Sequence, residues 1–251
     1  MKLKTLLLTL LLLGISINGF ADFNDGRVAS QKGDYKTAFD EWKSSAEQGD
    51  AYSQFALGNM YRDGEGVLKD YKQAVKWYRK SAEQGNPYAQ NNLGNAYRDG
   101  EGVLKDDKQA VKWYRKSAEQ GYAGGQSTLG IMYMQGDGVL KDYKEAIKWY
   151  RKAAEQGDSQ SQYNLGFMYT NGQGVLKDYK ESIKWYRKAA EQGNASAQYN
   201  IGVLYANGEG VLKDLSKAKY WIKKAYENPD ADAGTVELAE KGWNILELWK
   251  Y

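Results

Sequence analysis

The chain returns to the same five residues at a fixed step. Gly-Val-Leu-Lys-Asp begins at Gly66, Gly102, Gly138, Gly174 and Gly210, always 36 residues apart. Ala-Glu-Gln-Gly keeps that step from Ala46 through Ala82, Ala118 and Ala154 to Ala190. Leu57-Gly58, Leu93-Gly94, Leu129-Gly130, Leu165-Gly166 and Ile201-Gly202 keep it too. A period of this length marks a repeat array. No single unit can bury its own apolar stripe, so neighbours must stack. The 251-residue chain is therefore expected to form one continuous all-α array.

Each unit reads as two helices. In the second copy, Ala89, Leu93 and Tyr97 recur at i, i+4 and i+8, a helical stripe. Asp99-Gly100-Glu101-Gly102 then ends that helix, since glycine takes the left-handed geometry a helix C-terminus needs. Asp106 with Gln109 three residues on has the pattern of an N-cap. Asp70/Gln73, Asp142/Glu145 and Asp178/Glu181 repeat it, and Asp214/Lys217 departs from it. The second helix carries Ala110, Val111, Trp113, Tyr114, Ser117 and Ala118 as its apolar side and stops at Gly121. Gly94 and its equivalents are expected to let the paired helices approach closely. The large Trp and Tyr would then fill the space between repeats, each buried side chain contributing roughly 1.5–3 kcal/mol. On this reading, copied residues seal the interior and only uncopied ones remain to choose a ligand.

The ends differ from the middle. Residues 1–21 read as a cleavable export signal: Lys2 and Lys4, an apolar run from Leu6 to Leu13, and Gly19-Phe20-Ala21 with a cut after Ala21. The run is too short to span a bilayer, so no stable membrane insertion is expected after cleavage, and the processed chain would be periplasmic or secreted. Residues 22–50 form an incomplete N-terminal repeat in which Gly33-Asp34 replaces the long loop and Trp42 takes the register of Tyr78. Five repeats fill 51–228. Residues 229–251 read as a C-terminal capping helix with Val236, Ala239, Trp243 and Leu246 on one face. Leu238, Ile245, Leu248 and Trp249 form a second apolar set there. Either that helix is tucked deeper than a cap should be, or it leaves an edge for self-association.

Composition narrows the function. The chain has no His and no Cys. The commonest general base and metal ligand is absent, and so are the thiols of a Cys nucleophile or a disulfide framework. Without Lys2 and Lys4 the net charge falls from +3 to +1, which lacks the basic excess of a nucleic-acid binder. No phosphate-binding or dinucleotide Gly motif stands beside a strand, and no cofactor is expected. The acidic turns Asp63-Gly64-Glu65-Gly66 and Asp99-Gly100-Glu101-Gly102 put glycine where a calcium loop needs ligands. Gln135 and Gln173 replace acids in later copies, so these segments read as turns.

The pattern Ala89, Leu93-Gly94, Tyr97, Gly100, Gly102-Val103, Asp106, Ala110, Trp113-Tyr114, Ala118 and Gly121 resembles the Sel1-like repeat (SLR) family, a relative of tetratricopeptide repeats. The match covers roughly residues 22–228. The resemblance implies a right-handed α/α superhelical solenoid of about six 36-residue helix-turn-helix repeats, with a concave face lined mainly by first helices. It implies a role in assembling protein complexes; some bacterial members act in envelope signalling, exopolysaccharide export or host contact. One exported branch is rich in disulfides and linked to β-lactams, but this chain lacks those cysteines.

Two sets of residues are candidates for binding, and a third feature is a candidate hinge. The first is the uncopied set on the first helices. One column reads Phe55, Asn91, Ser127, Tyr163, Tyr199; four residues on, Asn59, Asn95, Ile131, Phe167, Val203; three further, Arg62, Arg98, Met134, Thr170, Ala206. Steps of i, i+4 and i+7 share one helix face. Phe55, Asn91, Tyr163, Phe167, Thr170, Tyr199 and Val203 are the expected contacts to a protein partner, with simple packing against the next repeat as the competing reading. The second set is basic: Lys76, Arg79 and Lys80, recurring as Lys112/Arg115/Lys116, Lys148/Arg151/Lys152 and Lys184/Arg187/Lys188. It could touch acidic glycans or lipid headgroups, or simply be a solvated face. Third, Gly124-Gly125 opens the first helix of copy three, as a hinge or as neutral drift at a helix start. A non-enzymatic exported scaffold is the expected function. A cell-wall or β-lactam hydrolase and an acidic-glycan-binding module are the alternatives.

Overall fold

The computed structural model describes residues 18–245. The expected export signal, for the most part, and Leu246, Leu248 and Trp249 lie outside the described residues, and the side chain of Ile245 is likewise not described. Thirteen α-helices, and no strand, occur among the described residues. They are α1 Asn18–Gln31, α2 Tyr35–Glu47, α3 Ala51–Asp63, α4 Tyr71–Glu83, α5 Pro87–Asp99, α6 Asp107–Glu119 and α7 Ala123–Gln135. After them come α8 Tyr143–Glu155, α9 Ser159–Asn171, α10 Tyr179–Glu191, α11 Ala195–Asn207, α12 Leu215–Tyr226 and α13 Ala233–Ile245. None of the described helices is long and apolar enough to cross a membrane.

The chain forms two compact units, one ending at Ser117 and the other beginning at Ala118. In each, a helix packs on its hairpin partner and on the helix that follows, the arrangement of an α/α solenoid. In the second unit α13 packs on α11 and α12.

Helix ends follow the repeated chemistry. Asp70, Asp142 and Asp178 each accept hydrogen bonds from the two amides that open the next helix. Asp214 still caps α12, because the bond comes from the Lys217 backbone and needs nothing of its side chain. Gly100 closes α5 with φ of 75°, which a side chain would strain. The opening of α7 differs: its N-cap position is Tyr122, which makes no side-chain hydrogen bond to the first turn.

The core is built as the repeat requires. Leu57, Leu93, Leu129, Leu165 and Ile201 are fully buried. The tryptophans reach into the preceding repeat: Trp77 packs with Ala38 and Leu57, Trp113 with Ala74 and Leu93, and Trp185 with Ala146 and Leu165. A glutamine ladder runs beside them. Gln54, Gln90, Gln126, Gln162 and Gln198 are buried, and each donates to the carbonyl of an alanine eight residues back. Gln84, Gln156 and Gln192 in turn donate to Gln54, Gln126 and Gln162 at 2.8 Å. Gln54, Gln126 and Gln162 are thus paired on both sides, which a low-dielectric interior demands.

One expectation fails. Copied residues do not all seal the interior. The leucine of every Gly-Val-Leu-Lys-Asp loop points to solvent, 88% exposed at Leu68 and 91% at Leu104, Leu140, Leu176 and Leu212. Two positive-φ glycines precede each leucine, as Gly64 and Gly66 do Leu68, and it is Val67 and Val103, not Leu68 and Leu104, that pack against the core.

Candidate partner-binding faces

The uncopied first-helix residues divide between the interior and the surface. Their division is set by one recurring contact. The ring of Tyr78 covers Gly58, that of Tyr114 covers Gly94, Tyr150 covers Gly130 and Tyr186 covers Gly166. Trp42 covers Gly26 in the short first hairpin, the register its position in the sequence suggests. The tyrosine hydroxyls are carried into the hairpin, where each needs a partner. Tyr78 and Tyr114 donate to Asn59 and Asn95, both at 2.8 Å. Tyr150 meets the sulfur of Met134 at 3.7 Å, and Thr170, Asn200 and Ser182 surround the hydroxyl of Tyr186. In the last copy, Val203 and Ala206 stand at the partner positions, and the ring itself is replaced by Ile222 over Gly202. Variation in these columns therefore tracks how a buried hydroxyl is satisfied. Burial pushes the Tyr78 phenol up to about 12 and raises those of Tyr114, Tyr150 and Tyr186 as well.

The seven expected contact residues fall in different places. Asn91 is buried. Phe55 lies between Tyr78 and Tyr88, with ring centroids 6.2 and 5.8 Å away. Tyr163 packs on Tyr186 at 5.7 Å. Thr170 bonds Ser182 at 2.6 Å across the hairpin. Tyr199 is half-buried against α13 near Gly242. Val203 is half-buried, and Phe167 is the most open at 38% exposure. Phe55 and Asn91 belong to the first unit and the other five to the second.

The first unit holds a surface that the column-by-column reading missed. Tyr52 and Tyr88 are exposed one turn before Phe55 and Asn91. Phe23 stands 5.9 Å from Tyr52 and Phe55 5.8 Å from Tyr88, so aromatic rings run across one side of α1, α3 and α5. A groove of about 340 Å³ runs beneath them, lined by Phe23, Trp42, Tyr52, Phe55, Asn59 and Arg62. A smaller cleft of about 160 Å³ adjoins it at Arg62 and is lined by Asn92, Asn95, Arg98 and Glu101. Arg62 and Arg98 are each held by a two-pronged ion pair to the next residue, Asp63 and Asp99. The signal was present in the sequence, since Tyr52, Tyr88, Gly124, Gln160 and Ser196 form another uncopied column.

The basic columns of the second helices have internal tasks. Lys80, Lys116, Lys152 and Lys188 lie 4.2–4.4 Å above the rings of Trp77, Trp113, Trp149 and Trp185. Arg79 and Arg151 bond the hydroxyls of Tyr97 and Tyr169 in the next repeat at 2.7 and 2.8 Å. Lys148 and Lys184 pair with Glu145 and Glu181.

Known proteins resemble this chain throughout its repeats. The family model described as Sel1 repeat matches residues 51–86, 87–122, 125–158, 159–194 and 195–230. A protective antigen of uropathogenic Escherichia coli with an SLR fold superposes with a TM-score of 0.81 at 36% identity, covering 91% of this chain and 53% of its own. This chain thus spans about half of that relative. A Sel1 repeat protein from Oxalobacter formigenes gives a TM-score of 0.76 at 38% identity, covering 82% of this chain and 84% of its own. An immunity protein from Pseudomonas aeruginosa, at 19% identity and a TM-score of 0.51, shares the fold alone, covering 93% of this chain and 83% of its own. No curated protein matches the chain.

Proposed function

The chain belongs to the Sel1 repeat family, and from that premise we propose that it is an exported, non-enzymatic scaffold holding a protein partner on the inner side of its first helices. Members of this family are commonly protein-interaction scaffolds. The observation that carries the reading is the pair of exposed tyrosines, Tyr52 and Tyr88, beside Phe55 and above grooves holding amides and two arginines. Rigid aromatic rings beside Arg and Asn are typical anchors of a protein interface. Arg62 and Arg98 are already oriented by their aspartates, so little entropy is lost when they meet a partner. In the second unit Phe167, the most exposed of the expected contact residues there, is the corresponding anchor.

Export rests on residues 1–21, and the protective-antigen description of the E. coli relative supports a place where a host can meet the protein. Envelope signalling, secretion and host contact are the settings this suits. The glycan alternative is weakened because the basic columns already serve tryptophans, tyrosines and carboxylates of their own chain.

Photocrosslinking tests the assignment. A benzoylphenylalanine at Tyr52, Tyr88 or Phe167 should capture the same partner in living cells, and one at Lys148 should not. Equal capture from all four positions would remove the inner face from the proposal. Turnover of nitrocefin or peptidoglycan by the purified protein would replace the scaffold with the hydrolase alternative.

A further inference from the structure

The partner-binding reading leaves the five exposed leucines unused. Each sits at the tip of a loop whose ends are held. Gly136 donates to Met132 and Asp142 to Tyr133 on either side of Leu140, and Asp178 donates to Tyr169 after Leu176. A leucine held this far into water forgoes the roughly 1.5–3 kcal/mol that burial would contribute, and here the arrangement is repeated in every loop.

What surrounds the leucines identifies what would cover them. A lysine follows each one: Lys69, Lys105, Lys141, Lys177 and Lys213. The next residue is an aspartate, but in the Leu140 and Leu176 loops it is turned back as a helix cap, on Lys144 and Glu145 or on Lys180 and Glu181. A tyrosine comes after it, and the lysine lies over its ring at 5.0 Å for Lys141/Tyr143 and 5.2 Å for Lys177/Tyr179. Leucine, lysine and tyrosine together are the composition that settles at a bilayer surface: an aliphatic tip for the acyl boundary, a cation for phosphate and an amphipathic ring between them. The Leu104 and Leu212 tips lack the tyrosine, and Leu215 stands in its place after Leu212. After Leu104 it is Asp107, and Lys105 approaches that carboxylate at 4.0 Å.

We propose that these loop tips make a peripheral contact with an anionic lipid bilayer, led in the second unit by Leu140 and Leu176. The contact is interfacial and needs no spanning segment. It is independent of the inner face, so either assignment can fail alone.

The absence of cysteine allows a local probe. The full chain is labelled with an environment-sensitive fluorophore at Leu176→Cys, or at Lys184→Cys as a control on the second helix. Each sample is mixed with phosphatidylcholine vesicles, with or without phosphatidylglycerol. The N-terminal apolar run is common to all samples, so the fluorophore reports its own loop. The expected result is a blue shift at Leu176→Cys with phosphatidylglycerol present and none at Lys184→Cys. In unlabelled chains, Leu140→Ser/Leu176→Ser should lower partitioning at least about tenfold. Removing Lys141 and Lys177 should lower it by about fivefold each, with helical circular dichroism unchanged. No shift at Leu176→Cys, whether or not the chain floats with the vesicles, overturns the proposal. So does a shift that grows with protein concentration in the absence of lipid, which would make a second copy the occupant.

Discussion

A Cβ built on Gly94 would fall 2.6 Å from Cε1 of Tyr114, so the two residues share one space. The glycine exists to receive the ring, and the ring carries a hydroxyl that Asn95 accepts at 2.8 Å. Gly94→Ala should destabilise the protein by about 1–3 kcal/mol, because a well-packed interior cannot absorb another carbon without moving the ring. Urea denaturation followed by circular dichroism measures this. A change within about 0.5 kcal/mol would mean that the ring moves aside freely.

The chain contains its own control for the hydroxyl. Copy five has Val203 and Ile222 where copy two has Asn95 and Tyr114. Asn95→Val alone strands the Tyr114 hydroxyl, and Tyr114→Ile alone strands the amide. Each should be destabilising by at least about 1 kcal/mol. The double substitution should cost less than the two singles added, with a coupling of about 0.5–3 kcal/mol. Strict additivity in a double-mutant cycle would contradict the pairing.

Alkaline pH should melt the array over a defined window. Burial raises the Tyr78 phenol from its ordinary value near 10 to about 12, and Tyr114, Tyr150 and Tyr186 shift in the same direction. The folded state therefore holds these protons more tightly than the unfolded state. Their contribution is fully present below pH 10 and is lost as pH rises toward 12. Without histidine, stability should change little between about pH 6 and 9. Melting temperature against pH, with phenolate absorbance as the second readout, should show unfolding and ionisation together.

The start of α7 can be improved. Tyr122 occupies a position where Asp50, Asn86, Asp158 and Asn194 cap the equivalent helices. Tyr122→Asn should add about 1 kcal/mol of stability. Gly124→Ala should gain less by itself, because its Cβ would fall 2.7 Å from Cε1 of Tyr122. Combined with Tyr122→Asn it should contribute up to about 1 kcal/mol more. Thermal melts of the three variants test this order.

The helices, turns and caps were legible because they depend on local chemistry. Asp70, Gly100 and Leu93 act on residues within a turn or two of themselves, and the 36-residue step copied each solution down the chain. The binding face was only partly legible. Asn91 and Phe167 belong to the same uncopied helix face, yet one is buried and the other open. Helical spacing locates a face but does not say what will cover it.

From the sequence alone came the period, the two-helix unit, the glycine that admits a large ring and the atypical ends, since each follows from short-range sterics and from stripes that only stacking can bury. Tertiary structure alone decided that Asn59 and Asn95 satisfy hydroxyls, that Tyr199 lies against α13, and that the five loop leucines face solvent. Those outcomes depend on which atoms arrive from elsewhere in the chain. A buried donor must find an acceptor wherever the packing brings one, and an apolar side chain stays in water when nothing in its own chain reaches it.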